Sequence, residues 1–132
     1  MKLFTISLLL GAVFFSISPV QADNYYILCP TGDQITFEQD KGDKWQATAE
    51  FDNYNFKGSL PIKTGVDPKP ADEGVPLSPL NRTGPNFNLS CMYRVQNMNS
   101  ALTLTTSFTN EAFESCSPWI LGGLTGFRCE EK

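Results

Sequence analysis

The chain has 132 residues, 14 acidic against 10 basic, no histidine and a formal net charge of −4. An acidic balance without a basic run offers nothing to attract a nucleic acid or an anionic membrane surface. The lack of histidine removes the commonest general base, the Ser-His-Asp and Cys-His arrangements, and most zinc catalysis.

Residues 1–22 read as a secretory signal: Lys2 gives the positive start, Leu3 to Phe15 is almost continuously apolar, and Val20-Gln21-Ala22 places small residues at a cleavage site before Asp23. The run is too short to cross about 30 Å of hydrocarbon and is broken by Ser16, Ser18 and Pro19, so no membrane insertion is expected after cleavage. Residues 23–132 are then a single domain, and the expected location is secreted or periplasmic.

The mature part begins with two short strand candidates, "YYILC" and "QITFEQ", separated by the turn cluster Pro30, Thr31, Gly32 and Asp33. After a second turn at "DKGD", the stretch "KWQATAEF" alternates Trp45, Ala47, Ala49 and Phe51 with polar residues, the pattern of a half-buried strand. Between Tyr54 and Pro85 prolines and glycines recur. Proline removes ladder donors and glycine weakens strands, so this region reads as loop with an edge segment at Lys57 to Ile62. A loop so long is a functional loop, a mobile insertion or the mask of a missed short strand.

A longer alternation follows, with Phe87, Leu89, Cys91, Tyr93 and Val95 on one face and Met92 as an apolar exception on the other. "QNMNSA" suits a hairpin turn into "ALTLTTSF", where Leu102, Leu104, Thr106 and Phe108 share a face. "TNEAFESC" reads as a single helical turn capped by Thr109 or Asn110, and "TGFRC" as a closing strand after Gly122-Gly123. The predicted fold is all-β: a small antiparallel sandwich or barrel.

Cys29, Cys91, Cys116 and Cys129 are an even number in an exported chain, so a disulfide framework is expected. Cys29 follows the bulky Leu28 inside the mature chain, which is wrong for a lipid anchor. The spacings lack a Cys-x-x-Cys pair for metal, and no histidine is present to generate a thiolate. Of three possible connectivities, the preferred one joins Cys29 to Cys91 and Cys116 to Cys129, tying the first strand to the long central strand and closing a loop around Trp119. The alternative joins Cys29 to Cys129 and Cys91 to Cys116.

For chemistry, the remaining groups are carboxylates. Glu50 and Asp52 lie two apart and could form an acid pair of the glycosidase kind, but a solvated strand face is the simpler reading. Asp40, Asp43 and Asp52 match no calcium loop, Asp72-Glu73 read as surface charge, and "LGGLTG" lacks the lysine of a phosphate loop. No catalytic residue, metal or cofactor is therefore expected. Tyr25, Tyr26, Tyr54 and Phe56 fall outside the clear alternations and are the candidate binding residues, suited to a protein or a sugar ring. Trp45 and Trp119 are assigned to the core or to a position beside a disulfide. Sequons occur at Asn81 and Asn88.

Cys29-Pro30, Trp45, Cys91 to Tyr93, Leu102 to Leu104 and Cys129 together give a pattern that resembles a family of small exported bacterial proteins of unknown function. That resemblance implies bacterial export and a stapled β fold, and no activity. The functional expectation is a non-enzymatic binding module for a protein or glycan, working through the 54–85 loop. The alternatives are an inhibitor of an extracellular hydrolase and a small glycan hydrolase using Glu50 and Asp52.

Overall fold

The structure, a computed structural model, describes residues 24–79 and 84–132. The signal read at residues 1–22 and the sequon at Asn81 lie outside the described residues. Among the described residues nine strands run β1 (Asn24–Leu28), β2 (Thr36–Gln39), β3 (Lys44–Phe51), β4 (Tyr54–Pro61), β5 (Val75–Pro76), β6 (Asn86–Val95), β7 (Ser100–Thr109), β8 (Phe113–Leu121) and β9 (Leu124–Glu131). They form two antiparallel sheets, a large one ordered β2-β3-β4-β7-β6-β5 and a small one ordered β1-β9-β8.

The alternations decide which faces meet. Phe87, Leu89, Cys91, Tyr93 and Val95 of β6 are buried, as are Leu102, Leu104 and Thr106 of β7 and Ala47 and Ala49 of β3. The small sheet adds Ile27, Phe113, Cys116, Phe127 and Cys129 to the same cluster, so one core is shared between the sheets. Phe87 and Phe113 meet across it edge to face with centroids 5.9 Å apart. Two disulfides, Cys29–Cys91 and Cys116–Cys129, complete the framework in the preferred connectivity. The first links the end of β1 to β6 across the sheets, and the second links directly opposite residues of β8 and β9.

Three local expectations are corrected. The helical turn at 109–116 is a β-turn leading into β8. Asn110 does cap, accepting the Ala112 amide at 2.9 Å, but Phe113 is buried against Phe87 and Phe108, and the extended chain that follows keeps Cys116 on the core side. The segment Lys57 to Ile62 is no edge: residues 57–61 belong to β4, an interior strand between β3 and β7. Phe56 and Leu60 of that strand fill the core, and Pro61 sits at its last position, where a missing donor does little harm. Asp52 and Asn53, with φ of 49° and 70°, turn β3 into β4 in the left-handed conformation of a two-residue hairpin.

The third correction concerns the proline-rich segment. Residues 69–77 form a strap laid against β6 rather than part of a mobile insertion. The Gln96 amide donates to Lys69, the Ala71 amide to Arg94 and the Leu77 amide to Ser90, while Pro70 bridges Val95 and β5 pairs with β6. The strap occupies the outer edge of the large sheet, where proline costs no ladder bond on its solvent side. The missed short strand is the possibility that holds.

Candidate functional site

The expected binding aromatics do not gather. Phe56 has 0% exposure and belongs to the core, so it is removed from any surface site. Tyr54 is half-buried on Phe108, with ring centroids 5.0 Å apart. Burial, and then the charge of Asp52, hold its hydroxyl above the ordinary range. Tyr25 leans on Phe113 at 5.6 Å and Tyr26 on Trp119 at 4.7 Å. Tyr25 and Tyr26 are thus on the small sheet, while Tyr54 and Phe56 are on the large one.

Tyr26 leads to a surface that no alternation in the sequence marks. In the β8–β9 ladder Trp119 faces Gly126, Ile120 faces Thr125 and Leu121 faces Leu124. Gly122 has a φ of 59°, the position of glycine in a tight type II′ hairpin, and such a turn forces the two leucines directly opposite each other. Ile120 is 63% exposed, Leu121 65% and Leu124 51%. Period-two alternation sends Ile120 to one face and Trp119 and Leu121 to the other. No charged side chain occurs from Ser115 through Phe127. Tyr26 lies opposite Arg128 and Trp119 opposite Gly126, so the rings meet diagonally over the central strand at the residue without a side chain. Trp119, expected in the core or beside a disulfide, is half-buried on this outward face against Tyr26.

Two concavities border the hairpin. An open groove of about 1080 Å³ runs between the strap and the end of β6, lined by Val75, Met92, Met98 and Ile120 together with Asp72, Glu73 and Arg94. Val75 is 50% exposed there. A smaller recess of about 150 Å³ is lined by Leu28, Phe51 and Leu124 with the same Asp72 and Glu73. Asp72, Glu73 and Gly74 line both, as the wall between them. The position of this wall is fixed by the Gly32 amide, which donates to the Asp72 carbonyl at 3.0 Å, and by Gly74, where a β-carbon would fall 2.6 Å from the Tyr93 ring.

The carboxylates considered for chemistry stay apart from this surface. Glu50 faces Asn55 on the outward side of β3, and Asp52 is in the β3–β4 turn. Asp40 accepts bonds from the Gln46 side chain and the Gly42 amide, both at 2.8 Å, which lower its pKa. Among the described residues no group of three or more His, Cys, Asp or Glu side chains could hold a metal ion. None of their helices is long and apolar enough to cross a membrane. No family model, curated protein or solved structure matches the chain. What the surface offers chemically is apolar contact area, aromatic edges, the carboxylates of Asp72 and Glu73, and the Arg94 guanidinium in the larger groove.

Proposed function

We propose that the protein is an exported, non-enzymatic binding module that docks a polypeptide partner on the β8–β9 hairpin and the concavities beside it. The carrying observation is the exposure of Ile120, Leu121 and Leu124 at the end of a tight hairpin. Large aliphatic side chains left in water gain free energy when a partner covers them, at about 25 cal/mol per Å² of apolar surface. A glycan would be better served by a flat aromatic platform with polar groups around it, whereas here aliphatic side chains predominate. Export is supported by the disulfides, which persist outside the reducing cytosol.

The test is selection of a displayed random dodecapeptide library on the immobilised protein, repeated on the Leu121→Ser/Leu124→Ser variant. Wild type should enrich sequences with apolar anchors, and the variant should fail to hold those clones. Equal retention by both proteins would refute the hairpin as the docking surface.

The inhibitor reading keeps one specific observation. The Cys116–Cys129 bridge ties the base of the hairpin, and a loop held rigid in this way loses little entropy on entering an active-site cleft. Inhibition assays against a panel of lysozymes and proteases check it, and uniform absence of inhibition counts against it.

A further inference from the structure

The recess beside the hairpin combines two kinds of lining. Leu28, Phe51 and Leu124 give it apolar walls, and Asp72 and Glu73 stand at its side. Among the described residues no basic residue lines it, and the salt bridge they form joins Arg128 to Glu130, so neither recess carboxylate has a described cation as partner. A β-carbon on Gly123 would sit 3.8 Å from Glu73 Oε1, so this carboxylate reaches the hairpin turn itself. Arg94 lines the larger groove on the other side of the wall and is absent from the recess lining.

Resting on the docking reading above, we infer that the recess receives a lysine or arginine side chain of the polypeptide partner. Such a side chain has an aliphatic stem and a charged head, and it is accommodated best where the stem lies on apolar walls while the head reaches carboxylates still in contact with water. The Phe51 ring adds a surface that attracts a cation. A purely apolar side chain would leave Asp72 and Glu73 partly desolvated without compensation, which is unfavourable. The recess volume of about 150 Å³ suits one long side chain rather than a folded element. The partner segment is therefore cationic and amphipathic, with its basic residue adjacent to the apolar anchor that covers Leu121 and Leu124.

The same dodecapeptide library separates this inference from the one it rests on when it is also selected on Asp72→Asn/Glu73→Gln. The expected result is that wild type enriches Lys or Arg beside an apolar residue, while the uncharged variant keeps the apolar preference and loses the basic one. Individual clones should bind that variant about fivefold more weakly, the scale of an exposed ion pair, and the gap should shrink at high salt. Apolar enrichment without Lys or Arg, or equal basic enrichment on wild type and the uncharged variant, overturns the recess assignment and leaves the docking surface standing. Clones held equally by Leu121→Ser/Leu124→Ser overturn both. Sedimentation of wild type, and not of Leu121→Ser/Leu124→Ser, with neutral phosphatidylcholine vesicles also overturns both, because the hairpin is then a lipid-facing element.

Discussion

The hydroxyl of Tyr93 donates to the carbonyl oxygen of Pro30, 2.5 Å away and 63 positions earlier in the chain. This bond joins β6 to the turn after β1, beside the Cys29–Cys91 bridge, and Gly74 of the strap covers the same ring. Tyr93 is 0% exposed, and burial pushes its pKa far above the ordinary value of 10.0. The folded state thus holds the neutral phenol, whereas an unfolded chain ionises it near pH 10. The stabilisation is complete below the unfolded value and is lost progressively as pH rises above it. Urea midpoints should be flat between about pH 8 and 9 and fall above pH 10, with this residue adding up to about 1.4 kcal/mol per pH unit. Tyr93→Phe should flatten that fall, at a cost of about 1 kcal/mol near neutrality for the bond to Pro30. Identical alkaline slopes in both proteins would contradict the assignment.

Gly74→Ala tests the strap in the same place. The added carbon meets a fully buried ring fixed by its own hydrogen bond, so the ring cannot swing aside. Destabilisation of about 1 to 3 kcal/mol is expected, with faster amide exchange at Ala71 and Leu77, whose amides donate to β6. Unchanged exchange at those amides would show that the strap does not depend on Gly74.

The two disulfides should differ in worth. Cys29–Cys91 spans 62 positions and Cys116–Cys129 spans 13. The chain-entropy argument gives about 4 kcal/mol for the first and about 3 kcal/mol for the second. Replacing each pair by alanine and comparing denaturant midpoints checks the order. The short bridge should also protect the hairpin, so its removal should raise amide exchange at Leu121 and Leu124 more than at Leu102 and Leu104.

Much of the framework was legible because one face of each long strand is buried. A one-residue slip would expose a whole apolar row, so the alternations in β3, β6 and β7 fix both the strands and their inward faces. The misreadings have physical causes. Gly58 and Pro61 are strand breakers in general and make Lys57 to Ile62 read as an edge segment, yet glycine is tolerated where strands approach closely and proline at a strand's end, as in β4. Asn110 caps a β-turn with the same side-chain bond that it would use to cap a helix. The candidate surface was hidden for a different reason. Trp119, Ile120, Leu121 and Leu124 are apolar, and apolar residues are assigned to the interior by default. Only the pairing of β8 with β9 reveals that Trp119, Leu121 and Leu124 stand on the face opposite to the buried Cys116, and that Ile120, on the Cys116 side, is left 63% exposed.

The β3–β4 turn offers a stabilising change. Asp52 and Asn53 both hold positive φ, where a side chain on the second residue gains nothing and glycine has no penalty. Asn53→Gly should raise stability by about 0.5 kcal/mol and leave the aromatic pair Tyr54–Phe108 in place, since the turn geometry is already the one glycine prefers. A lower denaturant midpoint would show that the entropy gained by the unfolded chain outweighs the relief of strain.

A matched pair of leucines distinguishes a surface kept for binding from one kept for folding. Leu104 has 0% exposure in β7 and Leu121 has 65% at the hairpin. Leu104→Ala leaves a cavity in the shared core and should cost about 2 to 5 kcal/mol. Leu121→Ala removes atoms that are already largely in water, so its effect should stay within about 0.5 kcal/mol. If instead Leu121→Ala destabilises nearly as much as Leu104→Ala, the hairpin is packed in solution and its apolar side chains are accounted for by folding. If the two costs separate as expected, folding provides no reason for leucine at 121, and contact with a partner remains the physical account of an aliphatic side chain held in water.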